Sequence, residues 1–290
     1  MEAAPLVSVA MAMRDAERSL PMALASLFAQ THARWELLLV DDGSRDASLL
    51  VAQRFADPRV RLLADGVRKG LGARLNEAVQ LARGELVARM DADDVCYPER
   101  FERQLEFLLA HPEVDLLGSA MVVFAGEGEP TGMFKVKPAH DQICARPWAG
   151  FRLPHPTWMG RKAWFRRHPY DPSAMKGQDQ GLLVRTYKLS RFAALPEPLL
   201  GYRQDALELR KVLAGRYHFT RALVGDAPSL AWRGVPGQIA KAAYDTLAIS
   251  SGMERRLLAH RARPLSGVDA MKWREVWQRM AREAAQRCAA

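Results

Sequence analysis

Apolar positions along the first 124 residues fall into two alternating rhythms. Leu6 to Met11 is a short apolar run of the kind a buried strand presents. Leu20, Leu24, Leu27 and Phe28 then recur at helical spacing behind Ser19, a residue suited to a helix cap. Trp35 to Val40 predicts a second strand that stops at Asp41-Asp42-Gly43-Ser44, followed by a helix over 46–55 and a short strand over 60–63. The spacing of Leu71, Leu75, Ala78 and Ala82 predicts a helix over 70–83, with Gly84 as its stop. Leu86 to Met90 predicts a strand that ends at Asp91-Ala92-Asp93-Asp94. Pro98 opens a helix with Phe101, Leu105, Leu108 and Leu109 inward, and Val114 to Phe124 predicts one more strand.

Strands alternating with helices imply βαβ units and a mostly parallel sheet, hence an α/β fold with flanking helices. Residues 126–130 form a surface turn, residues 131–204 are less regular, and the text after Arg203 is helical to its end. The expected division is 1–204 as a catalytic domain and 205–290 as a basic helical C-terminal region.

Charge sharpens that division. Residues 1–204 hold 27 Lys/Arg against 25 Asp/Glu, whereas residues 205–290 hold 15 against 8, so the net charge of +9 sits almost wholly in the last third. Hydrophobic residues at 49% and charged residues at 26% describe an ordinary globular chain and exclude a disordered one. Three scattered cysteines, Cys96, Cys144 and Cys288, without a CxxC pair argue against a disulfide framework or a zinc site and point to a reducing compartment. No run approaches the ~18 apolar residues of a membrane span, and Met1 to Pro5 lack the pattern of a signal peptide, so the expected location is cytoplasmic.

Candidate chemistry lies in two acidic clusters, each at the C-terminal end of a predicted strand, where an open parallel sheet binds its ligands. The carboxylates of Asp91, Asp93 and Asp94 repel one another unless a cation or a donor-rich ligand lies between them. Mg²⁺ or Mn²⁺ suits such oxygen ligands. The competing reading, strongest for Asp41 and Asp42, is turn formation and helix capping.

These residues, in this order, resemble the family-two glycosyltransferases of GT-A fold. The likeness is carried by Val7-Ser8-Val9, Val40-Asp41-Asp42-Gly43-Ser44, Arg74-Leu75-Asn76 and the run from Gly84 to Asp94. It continues through His155-Pro156-Thr157, Tyr170-Asp171, Gln178-Asp179-Gln180-Gly181-Leu182 and Leu195 to Arg203, covering roughly residues 5–204. The resemblance implies an inverting, metal-dependent transfer of a sugar from a nucleotide-diphosphate donor, UDP-sugar first, to a glycan or lipid-linked acceptor in polysaccharide biosynthesis. It places Asp42 at the nucleotide base, Asp41 at the ribose or the turn, Arg74 near the pyrophosphate and Asp91 on the sugar or ribose side. Asp93 and Asp94 would hold the metal and Asp179 would be the general base, although Asp179 also reads as an acid favoured at a helix start. Arg74 also reads as a solvated helix residue. His155 falls near the acceptor or diphosphate, or is a plain loop residue; Trp158 is a stacking face for a sugar, or core. Tyr202-Arg203 close the region as structural residues. The chain departs from the family where Arg14-Asp15 replace the usual Tyr-Asn, where Gln178 stands in place of an acid, and in lacking a Gln-x-x-Arg-Trp segment.

Two other classes fit parts of the text. Asp91-Ala92-Asp93-Asp94-Val95 also matches a phosphohydrolase nucleophile motif, although three strand units precede it and Asp41-Asp42 are then unexplained. A non-catalytic glycan- or membrane-binding module would need no intact acidic cluster. In the tail, Trp273, Val276, Trp277 and Met280 share one helical face. That face suits an anionic membrane, as a peripheral contact at the inner face of the cell membrane. It equally suits packing on the catalytic domain or on a second copy as a homodimer. No nucleic-acid motif accompanies the charge.

Overall fold

The computed structural model describes residues 4–253 and 262–289. Met1 to Ala3, part of the N-terminal stretch read above as no signal peptide, and residues 254–261 of the basic tail lie outside the described residues. The elements run β1 (Val7–Met13), α1 (Leu20–Phe28), β2 (Trp35–Asp41), α2 (Ser48–Arg54), β3 (Val60–Leu63), α3 (Leu71–Leu81), β4 (Leu86–Arg89), β5 (Val95–Cys96) and α4 (Arg100–Ala110). They continue with β6 (Leu116–Ala125), β7 (Glu129–Phe134), α5 (His140–Ile143), β8 (Met159–Arg161), α6 (Lys162–Arg167), α7 (Gln178–Thr186), β9 (Phe192–Arg203), α8 (Leu209–Asp226) and α9 (Pro228–Ser250). A last helix spans Gly267–Ala289.

One sheet of strand order β3-β2-β1-β4-β8-β6-β9-β5, with β7 paired to β6, runs through the molecule. The first four strands pair in parallel, as the alternation predicts. Beyond β4 the expectation of a mostly parallel sheet fails. β8 joins β4 to β6 by two antiparallel ladders, β7 pairs antiparallel with β6 and β5 with β9, and only β6 and β9 pair in parallel there.

The period of two explains why both sheet faces are covered. Val7, Val9, Met11, Leu37, Leu39, Leu86 and Ala88 point to one side, into a core shared with α1 and α4. Ala10, Leu38, Val40 and Val87 point to the other, against α3, α6 and α7. Buried Glu36 in β2 is one of the polar exceptions. Its carboxylate accepts from Ser8 Oγ, from the Arg83 backbone N–H and from Arg83 Nε, each at 2.7 Å. Burial works against its charge, but these donors outweigh it and hold the carboxyl below its usual range.

Several local expectations need correction. Ser19 precedes α1, but its side chain makes no capping bond. Leu109 is 60% exposed, because α4 turns it away from the sheet. Gly84 does not end α3, which already stops at Leu81 with Ala82 extended. It is glycine because a Cβ there would lie 2.3 Å from the Leu6 carbonyl oxygen.

The aromatic face of the last helix is core. Trp273, Val276 and Met280 are buried with Val95, Tyr97, Val122 and Phe124 of the sheet, which leaves this face neither to lipid nor to a second copy. Trp273 Nε1 donates to the Gly128 carbonyl at 2.7 Å, and Lys272 and Arg274 pair with Glu99 and Glu129. Two glycines make room for the indoles. A Cβ at Gly201 of β9 would fall 2.0 Å from the Trp273 ring, and one at Gly128 would fall 2.3 Å from Trp277.

Trp273→Ala should therefore cost about 3–5 kcal/mol of unfolding free energy, and Gly201→Ala should destabilise by overpacking. In the double variant the emptied indole site accepts the new methyl, so the combined cost should fall below the sum. Urea denaturation of the three variants measures this, and fully additive costs would contradict the contact.

Candidate active site

The end of β4 carries the acidic cluster. Carboxylate oxygens of Asp91, Asp93 and Asp94 lie within 4.8 Å of one another, with Asp91 half-buried, Asp93 exposed and Asp94 buried. Three arginines hold the backbone and side chains there. Arg89 is buried beneath the cluster and donates through Nη2 to Asp91 Oδ1. Arg203, at the end of β9, donates its backbone N–H to Asp94 Oδ1 at 3.0 Å. Arg100 is fully buried and ties the Arg89 carbonyl at 2.7 Å and the Trp158 carbonyl at 3.4 Å from one guanidinium nitrogen.

The electrostatics favour a bound cation. Although the residue reaches solvent, the protein that displaces water around its carboxyl, together with the Asp91 charge, pushes Asp93 up to about 6. Burial and the charges of Asp93 and Asp91 push Asp94 well above the ordinary range. Asp94 Oδ2 is buried and has no hydrogen-bond partner. An all-carboxylate set with an unpaired buried oxygen fits a hard divalent cation, which would relieve the repulsion.

Two clefts meet at this cluster. The larger, about 830 Å³, runs from Arg14 and Asp15 after β1, past Asp91 and Asp93, to Arg203 and to Lys211 and Arg216 of α8. The second, about 680 Å³, holds Asp179 and His155 together with Arg89 and Asp91. Asp91, Lys176, Gln180 and Tyr202 line both. Tyr202 therefore faces the clefts, in addition to the closing role expected of it. Asp179 lies in the first turn of α7, behind a left-handed Gly177, and its Oδ2 accepts from Gln180 Nε2 at 3.2 Å. His155 is buried, and its Nε2 pairs with the Tyr170 hydroxyl at 2.8 Å. Burial, aided by the Arg89 charge, lowers its pKa well below the usual value and keeps the ring neutral. Trp158 offers no stacking face: it is fully buried, donates to the Leu153 carbonyl at 3.1 Å and meets the edge of His155.

Asp41, Asp42 and Arg74 stand apart from both clefts. Asp41 is buried and folds the turn, accepting the backbone N–H groups of Gly43 and Ser44 and the Ser44 hydroxyl. Asp42 Oδ1 accepts from the backbone N–H groups of Lys69 and Gly70 at 2.7 and 2.9 Å, and from Arg74 Nε at 3.2 Å. Arg74 is no solvated helix residue; it is buried and also binds Asp65, Glu77 and the Val67 carbonyl. The loops after β1 and β2 are laced together by Asp15 to the Arg45 N–H at 2.8 Å and by Asp46 to the Glu17 N–H at 3.0 Å. Asp15 takes a left-handed backbone, φ 48°, a conformation that aspartate tolerates better than most residues.

Residues 8–168 match the model of glycosyl transferase family 2, more than half of the chain, and the chain belongs to that family. EpsE of Bacillus subtilis (strain 168) is 37% identical over 127 residues, 43% of this chain and 46% of EpsE. The UDP-Glc:alpha-D-GlcNAc-diphosphoundecaprenol beta-1,3-glucosyltransferase WfgD of Escherichia coli is 35% identical over 104 residues, 36% of this chain and 41% of WfgD. The chain thus spans less than half the length of these two relatives. The crystal structure of S. aureus TarS 1-349 in complex with UDP-GlcNAc superposes with a TM-score of 0.64 at 16% identity, over 96% of this chain and 81% of that one. That likeness shows the fold, which is of GT-A type.

Asp93 binds its proton more tightly folded than unfolded. Its contribution to stability is therefore present at acid pH and is lost as pH rises through about 6. Asp93→Asn should stabilise the cation-free protein above that pH by about 1 kcal/mol, a figure discounted because the carboxyl is exposed. The gap should close toward the ordinary carboxylate range, and the variant should lose most of the rise in melting temperature that Mn²⁺ gives the wild type. Melting curves against pH, with and without Mn²⁺, check both signs.

Proposed function

We propose that the protein is a glycosyltransferase that moves a sugar from a nucleotide-diphosphate donor, UDP-sugar first, to a glycan or lipid-linked acceptor with inversion. One observation carries this reading: the Asp91–Asp93–Asp94 cluster and Asp179 open onto adjoining clefts that share Asp91 and Tyr202 as a common wall. Such a wall suits two substrates meeting at one bond. A UDP donor is favoured by the bound UDP-GlcNAc of TarS and by the UDP-glucose donor in WfgD's name, and the latter's diphosphoundecaprenol acceptor favours a lipid-linked one.

Asp93 and Asp94 would hold Mn²⁺ or Mg²⁺, which when bound supplies positive charge to a departing diphosphate. Arg89 fixes Asp91 from below, so that its carboxylate faces the donor side in one orientation. Asp42, ordered by Lys69, Gly70 and Arg74 through Oδ1 and outside both clefts, would meet the base with Oδ2 where the donor runs past the rim of the larger one. Asp179 accepts the proton of the acceptor hydroxyl as that oxygen attacks the anomeric carbon from the face opposite the diphosphate. Neutral His155, held by the Tyr170 hydroxyl, lines the acceptor cleft without adding charge. The phosphohydrolase reading does not survive the family assignment. A purely binding module leaves the convergence of three carboxylates without a purpose.

Asp179→Asn keeps the shape but cannot take the proton, so transfer to the acceptor should fall by about 10²–10⁴ with donor affinity near wild type. Near-normal turnover with a lowered melting temperature would mark Asp179 as a helix-start acid only. Asp42→Asn should weaken UDP binding by about 1–3 kcal/mol and raise KM more than it lowers kcat. Calorimetric titration with UDP and Mn²⁺ measures the first effect, and initial rates measure the second.

A further inference from the structure

Side chains alternate between the two faces of the sheet along β9 and into the residue that follows it. Gly201 faces the last helix, under the Trp273 ring, and the Arg203 guanidinium lies over the Phe124 and Trp277 rings. Tyr202 and Gln204 point the other way, and both line the two clefts. The neighbouring strand keeps the same step. Val122 and Phe124 pack on the last helix, while Met121 and Val123 line the cleft that holds Asp179.

The backbone that carries this pair is pinned at each residue. Gly201 pairs with Val95 on one side and Val122 on the other, and Tyr202 pairs with Val123. The Arg203 N–H donates to Asp94 Oδ1 at 3.0 Å, and the Gln204 N–H donates to the Phe124 carbonyl at 2.8 Å. Groups held on such a strand are presented more precisely than groups on a loop.

Polar groups on the wall shared by the clefts differ in what they already bind. Asp91 is bonded by Arg89, and the Gln180 amide is taken by the Phe151 backbone and Asp179. Tyr202 and Gln204 are half-buried, and among the described residues neither the hydroxyl nor the side-chain amide has a hydrogen-bond partner. Both groups are uncharged, and each can donate and accept. Two positions apart on a strand, they stand about 6–7 Å from one another, a spacing that one hexose ring with its hydroxyls can bridge. A phosphate would call for cations instead.

We infer that Tyr202 and Gln204 bind the hydroxyls of the sugar being transferred, and that this sugar is an uncharged one. A group that passes from the cleft of the acidic cluster to the cleft of Asp179 lies against the wall the two share, where these side chains wait unbonded. The inference rests on the proposed nucleotide-sugar donor and adds the residues that read its sugar.

The test is calorimetric titration of the full chain, with Mn²⁺, against UDP, UDP-glucose, UDP-galactose and UDP-N-acetylglucosamine. Tyr202→Phe keeps the ring that packs on the core beneath β9 and removes only the hydroxyl. Gln204→Met keeps the length of the side chain and removes the amide. Each should weaken binding of a UDP-sugar that the wild type binds by about three- to tenfold, and the double variant by more. Affinity for UDP itself and the melting temperature should stay at wild-type values. A double variant that binds every UDP-sugar as the wild type does overturns the inference and leaves the donor reading standing. An equal loss for UDP also overturns it, since the two residues then serve the nucleotide site or the fold. Wild type that binds neither UDP nor any of the UDP-sugars removes the UDP-donor reading and this inference with it.

Discussion

Mutual repulsion among Asp91, Asp93 and Asp94 is the constraint around which the cleft end of the sheet is arranged. Like charges held within 4.8 Å stay together only if the chain beneath them cannot relax. The restraints on them come from near and far in the sequence. Arg89 pins Asp91 from within β4, Arg100 of α4 pins the Arg89 carbonyl, and Arg203 reaches Asp94 across 109 residues of chain. Arg100 is unusual in spending a buried guanidinium on neutral carbonyls, the Cys96 sulfur and Gln104 rather than on a carboxylate. It thereby joins the strand that carries the acids to the segment that carries His155 and Trp158.

The parallel half of the fold was legible because each of its strands is a mainly apolar run and its helices carry apolar residues at helical spacing. The other half was not, for physical reasons that can be named. β8 is three residues long, too short for a period to appear. β9 contains Pro196 and Pro198, which argue against a strand in sequence; the ladder tolerates them where its register shifts between Ser119 and Met121. Leu109 and Gly84 misled because periodicity does not say where a helix leaves its sheet or which backbone will pass nearby.

The candidate site divides in the same way. The cluster of Asp91, Asp93 and Asp94 could be read as a unit because it is local in sequence. That Asp179 shares a cleft wall with it depends on where α7 lands, which no spacing discloses. Arg89 did leave a signal, a lone cation inside an apolar strand, since an arginine is buried there only if something nearby holds its charge. Asp42 and Arg74 were legible as a pair only through family likeness, and in the structure they form one buried ion pair that ties the turn after β2 to α3.

The two glycine slots beneath Trp273 and Trp277 set an order of assembly. During synthesis the sheet strands emerge first, and the helix that fills Gly128 and Gly201 is made only after α8 and α9. Until then Tyr97, Val122 and Phe124 face water in an open groove, and the end of β9 lacks the indole over which Arg203 lies. Arg203 gives Asp94 its backbone N–H and already lies over Phe124, so the late helix completes the aromatic lining around a residue whose bond to the acidic cluster does not wait for it. A nick between α9 and that helix would leave the helix held on the finished sheet by its buried indoles, the Trp273 bond to Gly128 and its ion pairs with Glu99 and Glu129.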